Sequence, residues 1–167
     1  MVKTYTRREA RELLAALERQ AADILAAAKE AEKDADKNSF NLYRKFRDKV
    51  SEFETFSIIV EGRLRNLDQP DDRLQHNFDR LSIVIFKCLI RASIKFLFVL
   101  SANAVLPLGA REIFANELRS MYFAKQRMSD PRFGSFIDEQ AWHDMELAEE
   151  ILNEVIDKAP KLLNFGP

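Results

Sequence analysis

Residues that make turns are scarce in this sequence: it has 4 glycines and 5 prolines in 167 positions, and only Gly62 among the glycines precedes position 109. Tight hairpins draw on glycine, proline, asparagine and aspartate for their special backbone angles, so so few breakers argue against a sheet of short, turned strands. One cysteine, Cys88, excludes an internal disulfide and a cysteine-rich metal site. It lies in a strongly apolar stretch and reads as a small buried hydrophobe. With charged residues throughout the first twenty positions and no leader-like opening, a reducing cytoplasm is the expected compartment. A net charge of −1 implies no general attraction to nucleic acid or to a membrane surface.

Long uncharged runs are missing too. The longest run through the apolar region, Phe96–Ala110, is 15 residues and contains Asn103, Pro107 and Gly109. A membrane span needs about 20 consecutive largely apolar residues. The stretch 81–108 is therefore read as a helix at the centre of a soluble bundle, and no membrane span is expected.

What is abundant is helix-forming material arranged with helical periodicity. Thr6 and Glu9 have the spacing of a capping box, in which a hydroxyl and a carboxylate satisfy each other's backbone amides. Leu14, Leu17, Ala21, Ile24, Ala28, Ala31 and Ala35 then recur by threes and fours, predicting a first helix over about 7–36. After Lys37–Asn38–Ser39, a second stripe of Tyr43, Phe46, Val50, Phe53, Ser57, Val60, Leu64 and Leu67 predicts a helix over about 40–67. Small alanines on one helix leave room for rings on the other, so the two are expected to form an antiparallel αα-hairpin. That hairpin is expected to pack on the third helix, about 72–104, with Asp72 and Gln75 as its cap. Val105–Leu106–Pro107–Leu108–Gly109 ends it. A fourth helix follows to about Met128. After the Ser129–Gly134 loop, Ser135 is read as the cap of a fifth helix over about 136–158, carrying Ala141, Met145, Ala148, Leu152 and Val155 at helical spacing. The expected fold is all-α: a bundle of about five helices in one domain, 1–167.

The charges are unevenly placed. Residues 80–132 hold nine Lys/Arg against three acids, whereas 133–167 hold eight acids against two lysines. On the third helix, Arg80, Lys87, Arg91 and Lys95 fall within an arc of about 80° at 100° per residue. These four are the candidate anion or partner surface. Three readings stand beside one another: pairing with the acidic fifth helix through Glu139, Glu146, Glu150 and Glu154, a plain solvated face, or a rail for phosphates. Phe86, Phe96 and Phe98 fall on the apolar side by periodicity, which gives base stacking no support.

Candidate chemistry is thin. His76 is read as an exposed first-turn residue. His143 shares a helical face with Glu139 and Glu146, but a carboxylate-bridged di-metal bundle needs paired Glu-x-x-His motifs from several helices, and three residues after Glu139 stands Trp142. Trp142 is read as sealing a core edge, with a partner contact as the alternative. No phosphate loop or nucleophilic triad is present as a motif. No catalytic, cofactor or metal residue is assigned. The expected function is a non-enzymatic helical-bundle interaction protein, acting as adaptor, assembly subunit or homo-oligomer. A nucleic-acid-associated protein using the basic stripe is the first alternative. A helical enzyme or phosphotransfer domain without a recognisable motif is the second.

Overall fold

The computed structural model describes residues 3–33, 41–102 and 110–162. Ala35, the Lys37–Asn38–Ser39 break and the Val105–Leu106–Pro107–Leu108–Gly109 motif lie outside the described residues. Among those described the architecture is all-α. Five α-helices follow one another: α1 (Arg7–Lys33), α2 (Asn41–Arg65), α3 (Asp72–Ala102), α4 (Ala110–Met128) and α5 (Glu139–Leu162), with a 3-10 stretch, Pro131–Phe136, before α5. None of the described helices is long and apolar enough to cross a membrane. The chain forms two compact units, Met1–Cys88 and Leu89–Pro167, so that α3 contributes to both.

In the first unit, α1 opens on the capping box. The Thr6 amide donates to Glu9 Oε2 at 2.8 Å, the Thr6 hydroxyl to the same oxygen at 2.9 Å, and the Glu9 amide to Thr6 Oγ1 at 3.3 Å. These bonds, the Thr6 amide foremost, hold the Glu9 carboxyl below the ordinary carboxylate range. A lowered folded-state pKa means stability that is present above the unfolded value and lost as pH falls through the folded one. Acidification is therefore expected to fray the first turn of α1 before the rest of the unit. Protection of the Thr6 amide against exchange, taken relative to its intrinsic rate at each pH, should fall below the ordinary carboxylate range in wild type. In Glu9→Gln that protection should already be lower at neutral pH and indifferent to acid over that interval; equal pH profiles of protection would refute the assignment.

Ala10, Leu14, Leu17, Ala21, Ile24 and Ala31 of α1 are buried, as are Tyr43, Phe46, Val50, Phe53, Ser57, Val60 and Leu64 of α2. Ala28 and Leu67, at the edges of the two stripes, are half-buried. Ser57 occupies an apolar position because its hydroxyl turns back to the Glu54 carbonyl at 2.8 Å, leaving no unmet donor. The alanines leave room for the α2 rings, and α1 and α2 form an extensive contact in this unit among the described residues. The ends of the pair are stitched together. The Tyr5 amide donates to the Asn66 carbonyl and the Asp68 amide to the Tyr5 carbonyl, both at 2.9 Å. The Arg63 guanidinium lies 3.9 Å from the centre of the Tyr5 ring, and Arg7 reaches Asp71 at 3.5 Å. The residue before α1 thus sits beside the residues after α2, and the two helices run antiparallel.

The cap of α3 differs from expectation by one residue. Asp71, not Asp72, accepts the Arg73 and Leu74 amides at 3.1 and 3.2 Å. A cap side chain serves the amides two and three positions on, and Asp71 is the residue so placed before a helix that begins at Asp72. Beyond this cap, Leu74, Phe78, Leu81, Ile83, Ile85 and Phe86 are buried. Cys88 is half-buried, more exposed than its apolar surroundings implied.

In the second unit, the α3 residues Leu89, Ile90, Ile94, Phe96 and Leu97 are buried, and so are Met121, Ala124 and Met128 of α4 and Ala141, Met145 and Ala148 of α5. Again the small residues mark a close backbone approach, here between α4 and α5. Ser135 does not cap α5. The chain winds a 3-10 turn first, with Asp130 as its cap, Pro131 at its first position and Phe133 buried beneath it. Asp138 then caps α5 by accepting the Ala141 amide at 2.8 Å. Ser135 lies inside the 3-10 turn and is not positioned to reach the first turn of α5.

Candidate functional site

The four cations of the α3 stripe divide between the units. In the first, Arg80 is exposed and bridges to Glu18 of α1 at 3.3 Å, while also donating to Asn77 Oδ1 at 2.9 Å; Lys87 is half-buried. In the second, Lys95 is exposed, and Arg91 is held by α5. Its Nε and NH2 both donate to Asp144 Oδ2, at 3.2 and 3.0 Å, and Gln140 donates to Asp144 Oδ1 at 2.9 Å. The acid that α5 brings to Arg91 is thus Asp144, not one of the four glutamates proposed from spacing; Glu139, Glu146 and Glu150 are exposed. Asp144 lies beside the buried stripe of Ala141, Met145 and Ala148, so its carboxylate faces inward. A charged residue flanking an apolar stripe was the signal that spacing of glutamates overlooked.

A second buried carboxylate behaves the same way. Glu117 of α4 is 2% exposed and accepts the Ser93 hydroxyl of α3 at 2.8 Å. The two acids give the second unit a polar interior that links α3 to both of its partner helices.

His143, Glu139 and Glu146 share the outer face of α5 and are all exposed, and His76 is exposed at the start of α3. Among the described residues no three His, Cys, Asp or Glu side chains converge as a metal site would require.

The surface of the second unit carries what periodicity did not foresee. Trp142 does not seal a core edge: it is 59% exposed, and Phe98, Tyr122 and Phe123 are likewise open to solvent. Tyr122 and Phe123 meet edge to face with ring centres 5.8 Å apart. Trp142 forms part of a groove of about 300 Å³ between the end of α4, the 3-10 turn and the start of α5. Met128, Pro131, Ile137 and Met145 supply its apolar lining, and Asp130, Glu146 and Glu149 its acidic rim. Lys125 crosses it to Glu149 at 2.9 Å, pinning α4 to α5. Such a concavity offers apolar contact area with a few charges at the edge, the composition of a recognition surface.

No protein-family model, no curated protein and no solved structure matches this chain.

Proposed function

We propose that this chain is a non-enzymatic helical interaction protein that binds a protein partner through the α4–α5 surface of its second unit. The observation that carries the reading is Trp142, a large aromatic side chain left 59% exposed on the wall of a groove. Exposing such a ring to water has no structural benefit, whereas Trp, Tyr and Arg anchors dominate the energetics of protein interfaces. Tyr122 and Phe123 on α4 extend the aromatic character of the same unit.

The pairing of Arg80 with Glu18 and Arg91 with Asp144 weighs against the basic stripe as a phosphate rail, since a cation already bound to a carboxylate releases fewer counterions on meeting a phosphate. The test is native mass spectrometry of the protein purified from its own host, wild type beside Trp142→Ala. Wild type is expected to carry a co-purifying protein that the variant has lost, with helicity and melting temperature unchanged. The same partner at the same occupancy in both would refute the proposal.

A further inference from the structure

Resting on that reading, we infer that the groove beside Trp142 takes a basic segment of its partner, one that places a lysine or arginine over the indole and an apolar side chain against Met128, Met145 and Ile137. The sign of the charge follows from what surrounds the ring. Glu146 lies one helical turn beyond Trp142 on the same face and lines the same groove, so a cation stacked on the indole also meets a carboxylate. Glu149 stands one turn further, already pinned to Lys125. Around them the exposed face of α5 adds Glu139 and Glu150. Between Arg132 and Lys158 the sequence has no Lys or Arg to neutralise these acids. Lys125 is the cation among the groove's lining residues, and it is bridged to Glu149, while Glu146 lies one turn from Trp142 on the same helix face. An acidic or phosphorylated segment would meet like charge on this face, and such juxtaposition selects against wrong partners.

The apolar requirement follows from the floor. The two methionines, unbranched and adaptable, lie beside Ile137 and together fit a side chain of leucine or phenylalanine size without demanding one shape. A short amphipathic helix with cations on one face and apolar anchors on the other meets both demands at once.

Trp142 is the chain's one tryptophan, so its fluorescence reports this groove alone. The probe is an amphipathic peptide of about 15 residues bearing leucine and phenylalanine on one face and lysine and arginine on the other. The control is the same peptide with every cation replaced by glutamate. Titrating the basic peptide into the full chain is expected to shift Trp142 emission to the blue with saturation, and the apparent affinity is expected to fall as salt rises. Glu146→Lys should weaken binding at least about tenfold, and Trp142→Ala, followed by a label on the peptide, about thirtyfold. Equal binding of the acidic peptide overturns the basic class while leaving the groove as a binding site. So does an unmoved spectrum in a protein whose natural partner still depends on Trp142. An unmoved spectrum together with a partner indifferent to Trp142→Ala removes the groove reading as well. An emission shift that follows protein concentration without peptide overturns the proposal in favour of a second copy of this chain.

Discussion

Phe46→Ala is expected to lower the unfolding free energy by about 3–5 kcal/mol, measured as the change in urea midpoint at constant slope by circular dichroism. Phe46 is fully buried on the inner face of α2, with the Tyr43 ring 5.7 Å away, tilted against it. Phe46 belongs to the buried face of the helix that packs on α1, whose own buried face includes Ala10, Ala21 and Ala31, and alanine has no further atoms with which to fill the space a lost ring leaves. The cavity is therefore expected to stay open, which puts the cost at the upper end of the range. The matched control is Phe123→Ala. That ring is 56% exposed on α4, and removing it should change stability by no more than about 0.5 kcal/mol. Equal losses at the two positions would mean that the α1–α2 interface does not bury Phe46. A loss below about 1 kcal/mol at Phe46 alone would mean that the hairpin repacks around the gap.

The contrast between those two phenylalanines marks where reading the sequence stopped. Phe46 recurs with Val50, Phe53 and Val60 at helical spacing, and a stripe of that length has one physical use, which is to face another helix. The alanines of α1 supply the matching surface, so the hairpin is legible in the sequence on both sides. Phe98, Phe123 and Trp142 carry no such redundancy. Each is an apolar residue at the margin of a stripe, where spacing says only that it lies near the core boundary; whether a neighbouring element covers it depends on packing at a distance in sequence. Spacing places Trp142 at a core edge, whereas the structure leaves it 59% exposed on the groove.

Caps were legible as chemistry but not always as positions. Thr6 and Glu9 are the only hydroxyl and carboxylate at capping-box spacing near the start of α1, and they cap it. Before α3 two adjacent aspartates compete, and backbone geometry alone selects Asp71. Before α5 the spacing points to Ser135, but the 3-10 turn that Asp130 and Pro131 initiate takes up that residue and Asp138 caps the helix. The charge asymmetry was legible as a sum and not as a pairing. The excess of base before position 132 and of acid after it leaves pairing with α5 as one of three readings, and the acid that meets Arg91 is the buried aspartate beside the apolar stripe.

Arg91→Glu, the reversal at that contact, is expected to cost about 2–3 kcal/mol, the range for a hydrogen bond to a charged group whose loss strands its partner. The magnitude sits between two limits. Asp144 is only 8% exposed, and stripping a buried carboxylate of its cation costs about 3–5 kcal/mol when both groups are deep. Arg91 is not deep: its side chain is 51% exposed, so water screens part of the attraction in wild type and part of the repulsion in the variant. Gln140 keeps its own bond to Asp144 Oδ1 in either case and softens the loss. Asp144→Asn should cost less than the reversal, because it removes the charge while retaining an acceptor. Arg91→Glu combined with Asp144→Arg should recover part of the stability, which neither single change can do. High salt should weaken wild type and have little effect on Asp144→Asn, since screening acts on the charge pair and not on the packing. A reversal as stable as wild type, with wild-type protein retained on heparin near physiological salt, would show the opposite: the cations of α3 open to polyanions, and nucleic-acid binding restored ahead of the groove at Trp142 as the leading account of function.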